Sequence, residues 1–400
     1  MALSNVQAGE DVAGPTEWSR TRPHPSRDVY YPGTEALGPD EMRVIACGTG
    51  MPHPRLKQAA ACFLVELGNG EKFIFDMGAG SSERLAALRI PYDQLDKVFL
   101  GHLHLDHAGD FPAFYFTRSV NNGLAPIRVW GPSGVKPEWG TKAWADHMKK
   151  MWAWEEATRG GAVDPRGLQL QVNEIEWTEV NKVIYDEDGV VIRSIPAIHA
   201  DQSVSFILEW NGLKFAFSSD TLPNKWWIEH TKDADLSIHE SVLPPELFIA
   251  KYDFAPSEAV YVGTQGHTTP SAFGKVMSMT RPRMAVAYHF QNDHDTAPAV
   301  EAAIRKTYDG PLSLAQDFMV WNISKDEIRT RMAVPNHEAY PAPIQRQKQP
   351  PDSEKAYQWT DFSFSGVEPE TAAVVNDVVK DFNDSFGTDV QPFVTGRAAK

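Results

Sequence analysis

Residues 101–110 read GHLHLDHAGD, which places His102, His104, Asp106 and His107 within six residues. The apolar run LDKVFL precedes them and has the length of a strand. His102 and His104, two apart on an extended chain, would point the same way. Asp106 and His107 would follow once the chain turns. A lone histidine in such a place is usually a satisfied core residue. Three with a carboxylate are a donor set for zinc, iron or manganese. One ion cannot readily use all four groups from so short a loop. Two neighbouring ions can, and paired ions activate a water and clamp a departing oxygen.

The remaining donors have to come from elsewhere in the chain. Thirteen histidines are present, and those of interest share a context. VIRSIPAIH ends on His199, KFAFSSD on Asp220, and RMAVAYH on His289, while ADLSIHES carries His239 and Glu240. Each follows an apolar strand-like run, and strand ends on one edge of a sheet meet in space. This predicts one site of His102, His104 and His199 and a second of Asp106, His107 and His289. Asp220 would bridge them. Asp76, in the turn DMGAG, is expected to brace the loop by accepting turn amides rather than to bind metal.

Elements able to hold these residues are legible on both sides of the cluster. MRVIACG, ACFLVEL and KFIFDMG read as strands, the last two joined by the tight turn GNGE. SSERLAALRI reads as a helix capped by Ser81 or Ser82. FPAFYFTRSV reads as a helix and PIRVWGP as a strand. The span 137–165 is helical in composition and rich in tryptophan, and 168–218 reads as successive strands with a hairpin at Asn211-Gly212. Later strands are ADLSIHES, RMAVAYHF and FMVWNI, with helices at 256–262 and 270–279. Strands interleaved with helices imply mixed sheets covered by helices. Residues 1–40 and 341–355 are rich in proline and polar residues and read as wrapping arms. A short amphipathic helix near 370–386 would carry Val374, Val378 and Phe382 on one face, to dock on the same subunit or on a partner.

At 400 residues and 42% hydrophobic, the chain can build one large layered domain with extensions, or two domains. Cys47 and Cys62 lie in apolar runs and read as buried thiols rather than a disulfide or a cysteine zinc site. With no basic leader and no apolar run of spanning length, a cytoplasmic protein without a membrane partner is expected.

HLHLDH is the HxHxDH signature of the metallo-β-lactamase superfamily, and its surroundings resemble the ribonuclease Z-like and arylsulfatase-like branch. VIACGTGMP resembles the opening strand and glycine turn, and FIFDMGAGSSERL the segment before the metal motif. FAFSSDTLPN resembles the strand carrying the bridging aspartate, with Ser219 where glycine is usual. DADLSIHES, GHTTPSAFGKVM and AVAYHF resemble the three segments that follow, and the resemblance runs over about 43–325.

The resemblance implies an α/β fold, the metallo-β-lactamase αββα sandwich of two mixed sheets covered by helices. It would span 41–330, with arms at 1–40 and 331–400. It implies a hydrolase in which a hydroxide bridging two metal ions cleaves an ester, lactone, phosphodiester or aryl sulfate. The metals would be divalent, zinc first, with manganese or iron as alternatives. Carried over residue by residue, the ligands are His102, His104 and His199 for one metal and Asp106, His107 and His289 for the other, with Asp220 between. His267 matches a proton donor beside the leaving group, in a loop that Thr268 or Thr269 could fix by capping the helix after it. Glu240 matches the residue that orients His267, and Asp106, His267 and Glu240 form the catalytic set. A homodimer or higher oligomer is also implied.

Departures from the branch shape the expected substrate. Only twenty residues separate His199 from Asp220, where short transfer-RNA-processing members carry a long arm, and HFQNDHD follows a different pattern from theirs. The net charge is −15, from 38 basic and 53 acidic residues, which argues against a nucleic-acid partner. Trp152, Trp154, Trp226 and Trp227 are candidates to line a pocket, and aromatic residues packed as core are the competing reading. The expectation is a small, partly aromatic substrate, with an endonuclease processing RNA 3′ ends as the alternative. A non-catalytic protein stabilised by metal is a further alternative, opposed by His267 beside a full donor set.

Overall fold

The computed structural model describes residues 29–338 and 340–392. Most of the N-terminal arm expected over 1–40 lies outside the described residues. Sixteen strands are described. The first seven are β1 (Val29–Tyr30), β2 (Met42–Gly48), β3 (Cys62–Leu67), β4 (Lys72–Phe75), β5 (Lys97–Phe99), β6 (Ile127–Pro132) and β7 (Leu170–Ile175). Then come β8 (Lys182–Glu187), β9 (Val190–Ala197), β10 (Ser203–Trp210), β11 (Leu213–Phe217) and β12 (Leu236–Glu240). The last four are β13 (Met284–Tyr288), β14 (Leu312–Leu314), β15 (Met319–Ile323) and β16 (Ile328–Ala333).

They form two mixed sheets, one in the order β1-β16-β15-β2-β3-β4-β5-β6-β7 and one in the order β14-β13-β12-β11-β10-β9-β8. Alternation along the strands builds the layers. In β3, Phe63, Val65 and Leu67 face the second sheet, while Cys62 and Leu64 face helices on the outside. The space between the sheets is filled by aromatic rings, among them Phe75, Phe99, Phe206, Phe215 and Phe217. Phe99 stacks on Trp130 with centroids 4.6 Å apart, a geometry worth about 0.5–1.5 kcal/mol beyond burial. Helices Phe111–Arg118 and Thr141–Met151 cover the first sheet, and Pro245–Tyr252 and Pro270–Thr280 cover the second. Asn211 and Gly212 close the β10–β11 hairpin with φ of 51° and 77°, as a two-residue turn of this twist requires.

Two local expectations are corrected. Neither serine caps the helix Ser81–Ala87: its N-cap is Gly80, at φ 85°, with no side-chain cap. The first turn is served from elsewhere, because Asp110 accepts the Ser82 backbone N–H at 2.7 Å and the Ser82 hydroxyl at 2.9 Å. Strands β1 and β16 were not foreseen. They pair parallel to each other across the ends of the chain's folded body, a contact invisible to local pattern.

The C-terminal segment is pinned along its first part. Arg346 pairs with Asp93 at 2.9 Å, and the Gln349 N–H donates to Asp164 at 2.7 Å. Helix Pro369–Phe386 follows, with Val374, Val378 and Phe382 exposed. Both cysteines are buried and free. Among the described residues no helix is long and apolar enough to cross a membrane.

Candidate metal centre

The ends of β5, β9, β11, β12 and β13 bring the predicted residues to one edge of the two sheets. His102, His104 and His199 form one group whose ligand atoms lie within 4.8 Å of one another, and Asp106, His107, Asp220 and His289 form a second. In the first, His104 Nδ1 lies 3.1 Å from His102 Nε2 and 3.3 Å from His199 Nε2. In the second, His289 Nε2 lies 3.4 Å from His107 Nε2 and 3.2 Å from Asp106 Oδ2. Asp220 sits between them. Its Oδ1 is 3.2 Å from His107 Nε2, and its Oδ2 is 3.3 Å from His289 Nε2 and 3.8 Å from both His102 and His199 Nε2.

The other ring nitrogens explain why these atoms face inward. His199 Nδ1–H donates to the Gly266 carbonyl at 2.7 Å, leaving Nε2 bare. His107 Nδ1–H donates to Asp76 Oδ2 at 2.7 Å. The Ser219 hydroxyl also donates to Asp76 Oδ2, at 2.9 Å, and so can accept from His102 Nδ1–H at 3.2 Å. One buried carboxylate therefore orients a histidine of each group, His107 directly and His102 through Ser219. Asp76 Oδ1 accepts the Gly101 N–H at 2.7 Å, which ties the end of β5 to the same anchor. Gly101 has to be glycine, since a Cβ there would lie 2.2 Å from the Ser219 hydroxyl. Asp76, Ser219 and His289 all adopt left-handed φ, of 58°, 49° and 74°. Such strain, of order 1–3 kcal/mol per residue, persists only where the surroundings over-determine it.

Four imidazoles, of His102, His107, His199 and His289, and four carboxyls, of Asp76, Asp106, Asp220 and Glu240, are buried at this edge, and their electrostatics are coupled. Burial opposes ionisation of Asp106 and Asp220, but His107 and His289 outweigh it and hold both carboxyls below their usual range. Burial likewise opposes charge on His107, and Asp220, Asp106 and Asp76 overcome it, so its pKa is raised. His102 is pushed down by burial and then by His107. The donor set fits divalent cations. Asp220 Oδ1 is buried without a hydrogen-bond partner, and bare ring nitrogens converge where neutral imidazoles alone would gain little.

His267 lies beside the second group. Its Nδ1–H donates to Glu240 Oε1 at 3.0 Å and is 3.7 Å from Asp220 Oδ2. Glu240 is fully buried and also accepts the backbone N–H of Thr221 at 2.9 Å and of Thr268 at 3.3 Å. The loop is not fixed by a helix cap, as was expected. Thr269 is the N-cap residue of Pro270–Thr280 but makes no side-chain cap, and the Thr268 hydroxyl donates instead to the Thr221 carbonyl at 2.6 Å. Glu240 thus assembles the loop that its own hydrogen bond orients.

The tryptophans expected at a pocket are elsewhere. Trp227 is fully buried, packed edge-on to His239 with centroids 5.0 Å apart. Trp226 packs against the same outer core, and Trp152 and Trp154 are exposed. The cleft that opens beside His102 and His104 is lined instead by Trp139 and Trp144. Trp139 follows β6 as His102 follows β5, and the two strands run parallel, so strand-end logic applied to aromatic residues would have found it.

Two stacked mixed sheets, helical outer layers and a His/Asp cluster at one sheet edge define a metallo-β-lactamase fold. The solved structures agree. The metallo-β-lactamase fold protein YhfI from Bacillus subtilis aligns with a TM-score of 0.52 at 16% identity, over 71% of this chain and all of that one. The short form of human tRNase Z aligns with a TM-score of 0.51 at 20% identity, over 70% of this chain and 98% of that one. Within this superfamily's ribonuclease Z-like branch, the family described as anti-Pycsar protein Apyc1 matches residues 42–252, and the chain belongs to that family. A ribonuclease Z of Mycolicibacterium gilvum is 30% identical over 187 residues, covering 46% of this chain. One of Mycobacterium marinum is 29% identical over 187 residues. The chain spans 62% and 64% of these relatives' lengths.

These relatives overturn the expectation of a small-molecule substrate with nucleic acid disfavoured, because their name is that of enzymes acting on RNA. The net charge misled because it sums the whole chain. Part of the acidic excess, including Asp377, Asp381 and Asp384, sits on helix Pro369–Phe386, outside the matched span. A sum of this kind does not describe the potential at the site.

Proposed function

We propose that the chain is a metal-dependent hydrolase of ribonucleotide phosphodiesters. The observation that carries it is the convergence of two donor groups on Asp220, with His267 held by Glu240 at their side. The ribonuclease Z relatives favour a phosphodiester over the other ester-type bonds. His102, His104 and His199 would hold one cation, Asp106, His107 and His289 a second, and Asp220 both. Divalent cations held there, zinc first with manganese or iron as alternatives, would supply an activated water and neutralise charge developing on the phosphate. The chain's own contribution is to fix the donors through Asp76 and Ser219 and to present His267. Its Nδ1 is occupied by Glu240, so Nε2 is the atom left to pass a proton to the leaving oxygen.

The body that does this is proposed to extend from residue 29 to residue 333 rather than from 41 to 330, because β1 and β16 complete the first sheet. A homodimer is part of the same proposal, with the exposed row Val374, Val378 and Phe382 as a contact surface. Light scattering at micromolar concentration should give twice the mass of one chain, and the mass of one chain would reject it.

The test of function is a hydrolysis panel on the metal-loaded full chain. It contains an RNA oligomer with a 3′ extension, an aryl phosphodiester, an aryl sulfate, a carboxylic ester and a lactone. The expected result is turnover of the phosphodiesters, with the RNA preferred. Hydrolysis of the sulfate, ester or lactone with no phosphodiester cleaved would sink the reading.

A further inference from the structure

The cleft beside the first donor group has a volume of about 330 Å³, at the small end of the ~300–1,000 Å³ typical of small-ligand sites. That suits one nucleoside and is too little for a duplex. Its mouth is formed by two loops, each following a strand that ends at the metal-site edge. One is the turn after β6 that carries Trp139. The other follows His199, and its residues Ala200, Asp201 and Gln202 are consecutively left-handed, at φ 46°, 51° and 41°. Three such non-glycine residues in a row are a strained arrangement of the kind that gathers at ligand sites. Gln202 ties the loops together. Its Oε1 accepts the Val135 N–H at 2.9 Å and its Nε2 donates to the Trp139 carbonyl at 3.4 Å.

Trp139 is held yet uncovered. Its backbone N–H donates to the Lys136 carbonyl at 2.9 Å, and the Lys136 ammonium lies 4.5 Å from the centroid of its ring. The residue is still 50% exposed. Trp144 lines the interior, its ring 5.4 Å from that of Phe111 in the core. A large apolar ring left in water at the rim of a cleft that opens onto metal-ligand candidates is a surface made for another flat ring. An indole face stacks on any base, whatever its hydrogen-bonding edge.

We propose that this cleft seats the base adjoining the scissile phosphate, with Trp139 as its stacking platform. The Lys136 ammonium lies over the indole, and the base would take the opposite face. The Gln202 clamp keeps the platform at a fixed distance from His102 and His104. The proposal rests on the ribonucleotide phosphodiester reading above and adds the part of the substrate that the protein grips. Recognition by stacking predicts tolerance of base identity and intolerance of base absence.

The experiment compares the full chain with Trp139→Ala and Trp139→Phe on an RNA oligomer and on the same oligomer abasic at the cleaved position. A parallel calorimetric titration of metal-stripped protein uses a nucleoside monophosphate as probe. Trp139→Ala should raise KM for the base-bearing oligomer by roughly 5- to 150-fold, the scale of one lost base stack, with kcat little changed. Trp139→Phe should retain most of the affinity, and the abasic oligomer should be equally poor for all three proteins. The nucleoside monophosphate should bind the unsubstituted chain and Trp139→Phe, and Trp139→Ala more weakly by the same factor. Equal KM for base-bearing and abasic oligomers, or an unchanged KM in Trp139→Ala, would overturn the proposal. If no phosphodiester is cleaved by any of the three, the hydrolase reading fails. The titration then decides the platform separately, and equal binding to the unsubstituted chain and Trp139→Ala would reject it.

Discussion

His267→Ala is expected to lower kcat by roughly 10²–10⁴, the usual scale for a lost acid or base, while metal content and fold stay nearly intact. The imidazole is oriented by Glu240 rather than by the donor groups, and Glu240 keeps its bonds to Thr221 and Thr268 when the ring is removed. The defect should shrink for substrates whose leaving group is already acidic, since such a group departs without a proton. The pH profile gives a second readout. Burial pushes the His267 imidazole down, but the Glu240 carboxylate and its hydrogen bond, with Asp220, outweigh burial and hold it up at about 9. Bound cations would lower it from there. A general acid works protonated, so kcat should fall as pH rises through the His267 pKa, and this alkaline limb should be absent from His267→Ala. Loss of a metal on substitution would instead make His267 a ligand, a role its nearness to Asp220 and His199 permits. Full activity on a poor leaving group would reduce it to a loop-packing residue.

The second large effect concerns the metals. Elemental analysis of fully loaded protein should approach two ions per chain, His289→Ala should retain one, and both chelation and His289→Ala should abolish turnover. Metal at a thousandfold above its Kd should add about 4 kcal/mol of stability per site, because it binds the folded state alone. Asp76→Asn separates bracing from ligation. Asp76 accepts three hydrogen bonds with two oxygens, from Gly101, His107 and Ser219. An asparagine in either orientation sets an N–H against at least one of those donors, at a cost of about 1–3 kcal/mol. Metal affinity should fall about 10- to 100-fold at both sites, since Asp76 reaches a histidine of each group. A single ion persisting under full loading would exclude the paired centre. Unchanged affinity in Asp76→Asn would show that His102 and His107 are held by something other than this carboxylate.

How much was legible differs by residue. His102, His104, Asp106 and His107 announced themselves because four donors in six residues have few other uses. His199, Asp220 and His289 could be singled out as candidates because each ends an apolar run, and the structure brings them to the edge where such ends meet. Ser219 was noticed only as a departure from a glycine. Its place between His102 and Asp76 depends on a hydroxyl reaching into the space that Gly101, more than a hundred positions away, leaves empty. The helix at Ser81 was legible, but its cap was not, because Asp110 arrives from the far side of the metal loop.

The sequence by itself determined the layered α/β architecture and the strand-end positions of the candidate donor residues, since each of these is encoded in periodicity or in local residue type. Tertiary structure alone decided which ring nitrogens face inward, because that depends on what the opposite nitrogen meets: Asp76, Ser219 or the Gly266 carbonyl. It also decided which tryptophans stay in water. Trp227 and Trp139 look alike as residues near a motif, but one lies beneath helix Pro270–Thr280 and the other at the rim of a cleft. Burial is a property of what packs above a side chain, and only the assembled layers supply that.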